Sequence, residues 1–292
     1  MKNKYYVNNL ITENKNMIFY DIMWYNYPND KKYFSINKEL TDNIKYKSIK
    51  EKKLISDTTE QDNIINKYSF LYNKIPFIEH IYIANSLSFK SIHKNSDIDL
   101  FIITKNNRIF LAKLFVWLFF KLFWMYWNHQ KNKFCIWFYI TSQNKDLYPI
   151  SISWIDIYLA YWIAHLQNLY SEEKKEKDNI FKENLWVKKI IPNYNQKEKI
   201  ILNIKKNYWS SLIKRIFENI FWFDIFNNIL WIIWKKKMEN WRKKLWKNGK
   251  NIIISNNILK FHAPDIRKIV YLKYKILKNT PKKKVKTNKS LF

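Results

Sequence analysis

Glycine occurs once and cysteine once in 292 residues, and only 24 acidic side chains stand against 53 lysines and arginines. One cysteine rules out a disulfide framework, and Cys135 lies in an apolar run (KFCIWFYIT), so the expected compartment is the reducing cytoplasm. No signal-peptide pattern precedes the first polar residues, in keeping with that expectation. The acid deficit leaves a net charge of +29 and a pI near 9.8, a field that favours nucleic acid, nucleotides or an anionic membrane. The same Lys- and Asn-rich composition is also the imprint of an AT-rich genome, so an ordinary solvated basic surface stands beside a dedicated nucleic-acid face. With 47% hydrophobic residues the chain is no disordered tail and has enough apolar mass for a sizeable core.

The glycine deficit has a counterpart. Average usage places roughly 7% glycine, about twenty residues, in a chain of this length. AT bias accounts for the missing glycines but not for 14 tryptophans, whose codon is G-rich. The excess points to UGA being read as an amino acid: tryptophan under the usual reassignment, glycine in some bacterial lineages. Trp124, Trp127 and Trp246 fall where helix ends and loops call for glycine and bulky indoles are not expected.

The most informative stretch is residues 81–104, IYIANSLSFKSIHKNSDIDLFIIT. Strand side chains alternate with period 2, so Asp97 and Asp99 share one face while Ile98 and Leu100 point into a core. Two carboxylates on one face of a rigid strand are hard oxygen ligands that suit Mg2+, which takes its other ligands from water and substrate phosphates. The Ser-bearing turn upstream presents a hydroxyl and backbone amides that together form an anion nest.

These residues resemble the signature of the polymerase-beta-like nucleotidyltransferase superfamily, in which a strand ends in Gly-Ser and the next begins with Asp-x-Asp. A closer resemblance is to bacterial nucleotidyltransferase-domain proteins whose turn reads Asn-Ser-Leu-Ala-Phe-Gly and which carry DIYLAYW and LKFH-x-x-D-x-R segments. The chain has NSLSFK at 85–90, DIYLAYW at 156–162, including Trp162, and LKFHAPDIR at 259–267. The resemblance implies an α+β nucleotidyltransferase core, a small mixed sheet with helices, flanked by helical N- and C-terminal regions. It implies an Mg2+-dependent enzyme moving a nucleoside monophosphate from an NTP, with ATP the first choice, to a hydroxyl acceptor. Asp97 and Asp99 are the implied metal ligands, and Asn85, Ser86, Lys90 and Ser96 the implied nucleotide contacts.

The departures matter. Asn85 stands where the wider superfamily has glycine, and asparagine is the non-glycine residue that best tolerates positive φ. Lys90 replaces a second glycine and offers an ammonium to phosphate instead. The third carboxylate implied for the neighbouring strand is missing from residues 133–141; Asp146 and Asp156 lie just beyond. The alternative is therefore a catalytically inactive domain of the same fold that binds nucleic acid or a protein partner.

The expected organisation is a helical or winged-helix-like lead-in (1–62), the core (63–170), a basic helical region (171–279) and a basic tail (280–292). Within the core, strands are expected at 75–84, 98–104 and 133–141 and helices at 64–72, 108–127 and 154–170. The apolar segment 109–127 resembles a membrane span, but Lys113 and Lys121 inside it each cost about 2.5 to 3.5 kcal/mol on insertion scales. A buried helix whose lysine heads reach solvent fits better, so a membrane partner is not expected. A second apolar stretch, 216–234, shows no clean amphipathic stripe. The five histidines, His80, His93, His129, His165 and His262, lack metal-ligand spacing, and a structural cluster is expected for His262, Asp265 and Arg267.

Overall fold

The run that follows Asp97 forms β2 (Ile98–Thr104), the strand around which the remainder is arranged. The computed structural model describes residues 59–89, 96–123, 133–172, 180–192, 194, 208–245, 252–261 and 267–279. β1 (Ile78–Ile83), β3 (Phe134–Thr141), β4 (Gln167–Ser171), β5 (Ile253–Ile254) and β6 (Ile258–Lys260) join β2 in one sheet of order β4-β1-β2-β3-β6-β5. β1 runs antiparallel to both β2 and β4, β2 and β3 are parallel, and β6 is antiparallel to β3 and β5. A parallel pair needs a crossover.

Nine α-helices accompany the sheet among the described residues. They are α1 (Thr59–Lys67), α2 (Ser69–Tyr72), α3 (Asn85–Ser88), α4 (Ile109–Leu122), α5 (Ile157–Ala164), α6 (Ile180–Glu183), α7 (Tyr208–Ile220), α8 (Asp224–Leu245) and α9 (Arg267–Asn279). α4 supplies the crossover from β2 to β3. The fold is thus mixed α and β, as expected.

Alternation along β2 divides its side chains between two cores. Ile98, Leu100 and Ile102 pack with Ile109, Ala112 and Phe115 of α4, whereas Phe101 and Ile103 pack with α5 and α9. On that second side Trp162 meets Phe101 and Phe138 at ring-centroid distances of 5.1 and 5.3 Å. Burying β2 on both faces explains its nearly unbroken apolar sequence.

Three expectations need correction. The helix expected over 154–170 stops at Ala164, and Gln167–Ser171 is instead strand β4, paired with β1. The apolar spacing was compatible with either element; the open edge of β1 decides it. Lys113 does not send its head to solvent as Lys121 does. It is buried, with its ammonium 4.8 to 5.8 Å from the ring centroids of Phe261, Tyr139, Trp137 and Trp234. The helix expected over 64–72 is two, α1 ending at Lys67 and α2 beginning at Ser69. The apolar stretch 216–234 spans parts of α7 and α8, which meet at a bend of 81°. No single described helix is long and apolar enough to cross a membrane.

The late segments complete the sheet. Leu259 and Lys260, from the LKFHAPDIR motif, pair with Tyr139 and Phe138 of β3, and β4 runs across position 170. Of the lead-in expected over 1–62, residues 59–62 belong to α1, which runs on to Lys67; residues 1–58, Trp124, Trp127, Trp246, His129 and the tail from 280 lie outside the described residues.

Candidate metal and nucleotide site

Asp97 precedes β2 and Asp99 is its second residue, both half-buried, while Ile98 and Leu100 are fully buried on the other side. The pair therefore shares a face, as alternation requires. Parallel pairing brings Cys135 of β3 opposite Asp99. The next aligned pair is Phe101 with Phe138, so β3 carries an extra residue in between. That bulge lets Cys135 face the aspartates while Phe138 returns to the core, its ring 4.8 Å from Phe101.

One ligand atom each from Asp97, Asp99 and Cys135 lie within 4.8 Å of one another, the one such group among the described residues. Cys135 is buried, and its thiol is pushed well above its ordinary pKa by burial first, then by the charges of Asp99 and Asp97. In this setting it is a neutral S–H next to two carboxylates.

The turn upstream is tied to the same strand. The Ala84 N–H donates to the Asp99 carbonyl at 3.0 Å. Asn85 has φ of 54°, the left-handed value that its glycine-like position predicts. Its Oδ1 accepts from the Tyr158 hydroxyl at 3.3 Å, Ser88 Oγ donates to the Asn85 carbonyl at 2.9 Å, and Gln167 Nε2 donates to the Ser88 carbonyl at 3.0 Å. The short helix α3 is thereby fixed from α5 and β4, with Ser86 half-exposed on it. Ser96 is half-buried just before Asp97. Lys90 and His93 lie outside the described residues.

The two carboxylates beyond β3 serve other ends. Asp146 is exposed and accepts from the Tyr148 N–H at 2.9 Å, closing a local turn. Asp156 is buried at the N-terminus of α5, where it accepts from Leu159 and Ile152 N–H groups at 2.9 and 3.1 Å and meets Arg267 at 3.5 Å. Arg267 also donates to the Ile150 carbonyl at 2.7 Å. The two later motifs thus meet in an ion pair between Asp156 and Arg267; His262 and Asp265, the partners expected for Arg267, lie outside the described residues. His80 bonds Ser171 and His165 the Tyr161 carbonyl, both structural roles.

The donor set decides what the site fits. Two carboxylates with an accessible side suit one Mg2+, whose remaining ligands come from water and phosphate. A thiol is a soft donor that Mg2+ does not favour, so Cys135 does not supply the third hard ligand that a pair of Mg2+ ions would share. In the sequence Cys135 reads only as a marker of a reducing compartment. Its position two residues into a strand after a β-helix crossover was the available signal, but the register with Asp99 was not.

Comparison of the chain with protein-family models, with curated proteins and with solved structures returns no match.

Proposed function

We propose that the chain is a nucleotidyltransferase that moves a nucleoside monophosphate from an NTP, ATP foremost, onto a hydroxyl acceptor. The observation that carries the reading is the convergence of Asp97 and Asp99 beside a left-handed Asn85 turn fastened to the same strand. Asp97 and Asp99 would hold Mg2+, and the metal would supply charge neutralisation of the triphosphate as the acceptor hydroxyl displaces pyrophosphate from the α-phosphorus. Asn85 turns the backbone so that the amides of α3 and the Ser86 hydroxyl face phosphate oxygens, and Ser96, just before Asp97, extends that surface. The buried Tyr82, Phe101 and Trp162 beneath keep β2 from shifting, which holds the carboxylates in place.

Incubation with labelled NTP and Mg2+ in the presence of RNA and small-molecule acceptors tests it. The wild type is expected to label an acceptor and Asp99→Asn to leave it unlabelled. Nucleotide binding with no labelled acceptor in either protein refutes the enzyme reading.

A second reading, an inactive domain that binds nucleic acid, is favoured by one observation: a thiol stands where a third carboxylate is needed. Salt-sensitive RNA affinity that persists in Asp99→Asn supports it.

A further inference from the structure

α7 and α8 are firmly attached to the core along one side. Phe217 and Phe221 pack on Phe115, with centroids 5.2 and 5.6 Å apart, and Trp231 packs on Phe110 at 5.0 Å. The Asn227 side chain accepts from the Phe110 and Leu111 N–H groups at 3.1 and 3.3 Å. Arg108 fixes the corner by bonding the Asp224 carboxylate and the Trp222 carbonyl. The orientation of this helix pair is therefore determined by specific contacts.

Its outer side is apolar too. Ile213, Ile216 and Ile220 recur at helical spacing along α7 and are all exposed. Trp222 and Phe223 stand out from the corner, the latter 66% exposed. On α8 the row continues through Ile225, Ile229, Ile232 and Ile233, with Ile232 at 69%. Soluble monomers rarely leave so many large apolar side chains along one surface. Extended by the same spacing, the α8 row changes character: Lys236, Asn240 and Lys243 follow, all exposed. Lys235 and Lys237 flank it over the rings of Trp231 and Trp234, and beyond position 234 the helix has Glu239 as its one acid.

We propose that this outer face docks on an anionic lipid surface, with the isoleucine rows entering the interface and the lysines of α8 meeting headgroup charge. The pattern of apolar face plus basic extension fits that partner. A nucleic acid would use the lysines and leave the isoleucines in water. Two axes meeting at 81° define a plane, a geometry in which both helices can lie along one membrane surface together. The isoleucines carry the argument independently of how the tryptophan codons are read. The inference stands apart from the nucleotidyl-transfer reading.

Flotation of the full-length protein with vesicles tests it, comparing phosphatidylcholine alone with phosphatidylcholine plus phosphatidylglycerol. The wild type is expected to float with the anionic vesicles, and both Ile229→Asp/Ile233→Asp and Lys235→Glu/Lys236→Glu/Lys237→Glu are expected to weaken binding roughly tenfold or more. All five positions are exposed, so melting curves should match the wild type. Failure of the wild type to bind anionic vesicles overturns the proposal, as does binding that only the lysine variant weakens. A wild-type dimer that the isoleucine variant splits overturns it equally, by assigning the face to a second copy. Should the isoleucine variant not fold, Ile232→Cys carrying an environment-sensitive dye replaces it: a blue shift on anionic vesicles is expected, and unchanged emission overturns the proposal.

Discussion

The sheet keeps charge on both sides but treats it in opposite ways. Beside α5, Asp97 and Asp99 stay half-exposed at the start of β2. Beside α4, Lys113 is fully enclosed by aromatic rings, and burial lowers its pKa from 10.5 to about 7. The carboxylates retain access to cations that can repay their charge; the lysine faces four aromatic rings, which stabilise an ammonium by a fraction of what water provides. A charge at the end of a strand is available for chemistry, whereas one beneath a helix is a cost that titration reduces.

The largest expected effect lies on the carboxylate side. Asp99→Asn should lower Mg2+-dependent nucleotidyl transfer by roughly hundredfold or more, measured as acceptor labelling, with little change in the melting curve. An unchanged rate would place the chemistry elsewhere.

The lysine side should respond in stability. Lys113→Met is expected to stabilise the fold by about 2 kcal/mol at pH 7, read from urea unfolding. The sign follows from the lowered pKa. Between about pH 7 and 10.5 the unfolded chain holds the Lys113 proton and the folded chain does not, so wild-type stability rises with pH across that window. Below about 7 the penalty is complete, and above 10.5 it vanishes along with the advantage of methionine. A flat difference between the two proteins across this range would show that the amine is not confined.

A smaller effect should sharpen the contrast. Cys135→Asp completes a set of three carboxylates and is expected to raise Mg2+ affinity about tenfold by calorimetry. Weaker binding would mean that the bulge in β3 does not aim position 135 at the pair. The smallest change concerns the turn: Asn85→Ala should cost about 1 to 2 kcal/mol because alanine tolerates the left-handed region poorly, while Asn85→Gly stays within about 1 kcal/mol.

What the residues disclosed in advance follows the range of the forces involved. The bounds of β2, the shared face of Asp97 and Asp99 and the left-handed Asn85 rest on local geometry, and all could be read from spacing and side-chain type. The wider fold class was legible through the same alternation, though nothing in the architecture singles out one family. Cys135 as a neighbour of Asp99 was hidden because a bulge in β3 sets that register. β4 was hidden because its residues fit a helix equally well until β1 offers an edge. Lys113 was misjudged because its enclosure depends on Trp137, Trp234 and Phe261, from three elements far apart in sequence.

The position of β6 bears on how the protein is made. β3 is finished by Thr141, yet the strand that covers its outer edge is not encoded until Ile258. During synthesis more than a hundred residues must emerge while β3 presents unpaired backbone groups at Phe138, Tyr139 and Ile140. Sheets completed late are prone to wrong pairing between nascent chains. A ribosome stalled after α8 would therefore hold a chain with that edge still open, and such a chain is the one a holding chaperone should bind.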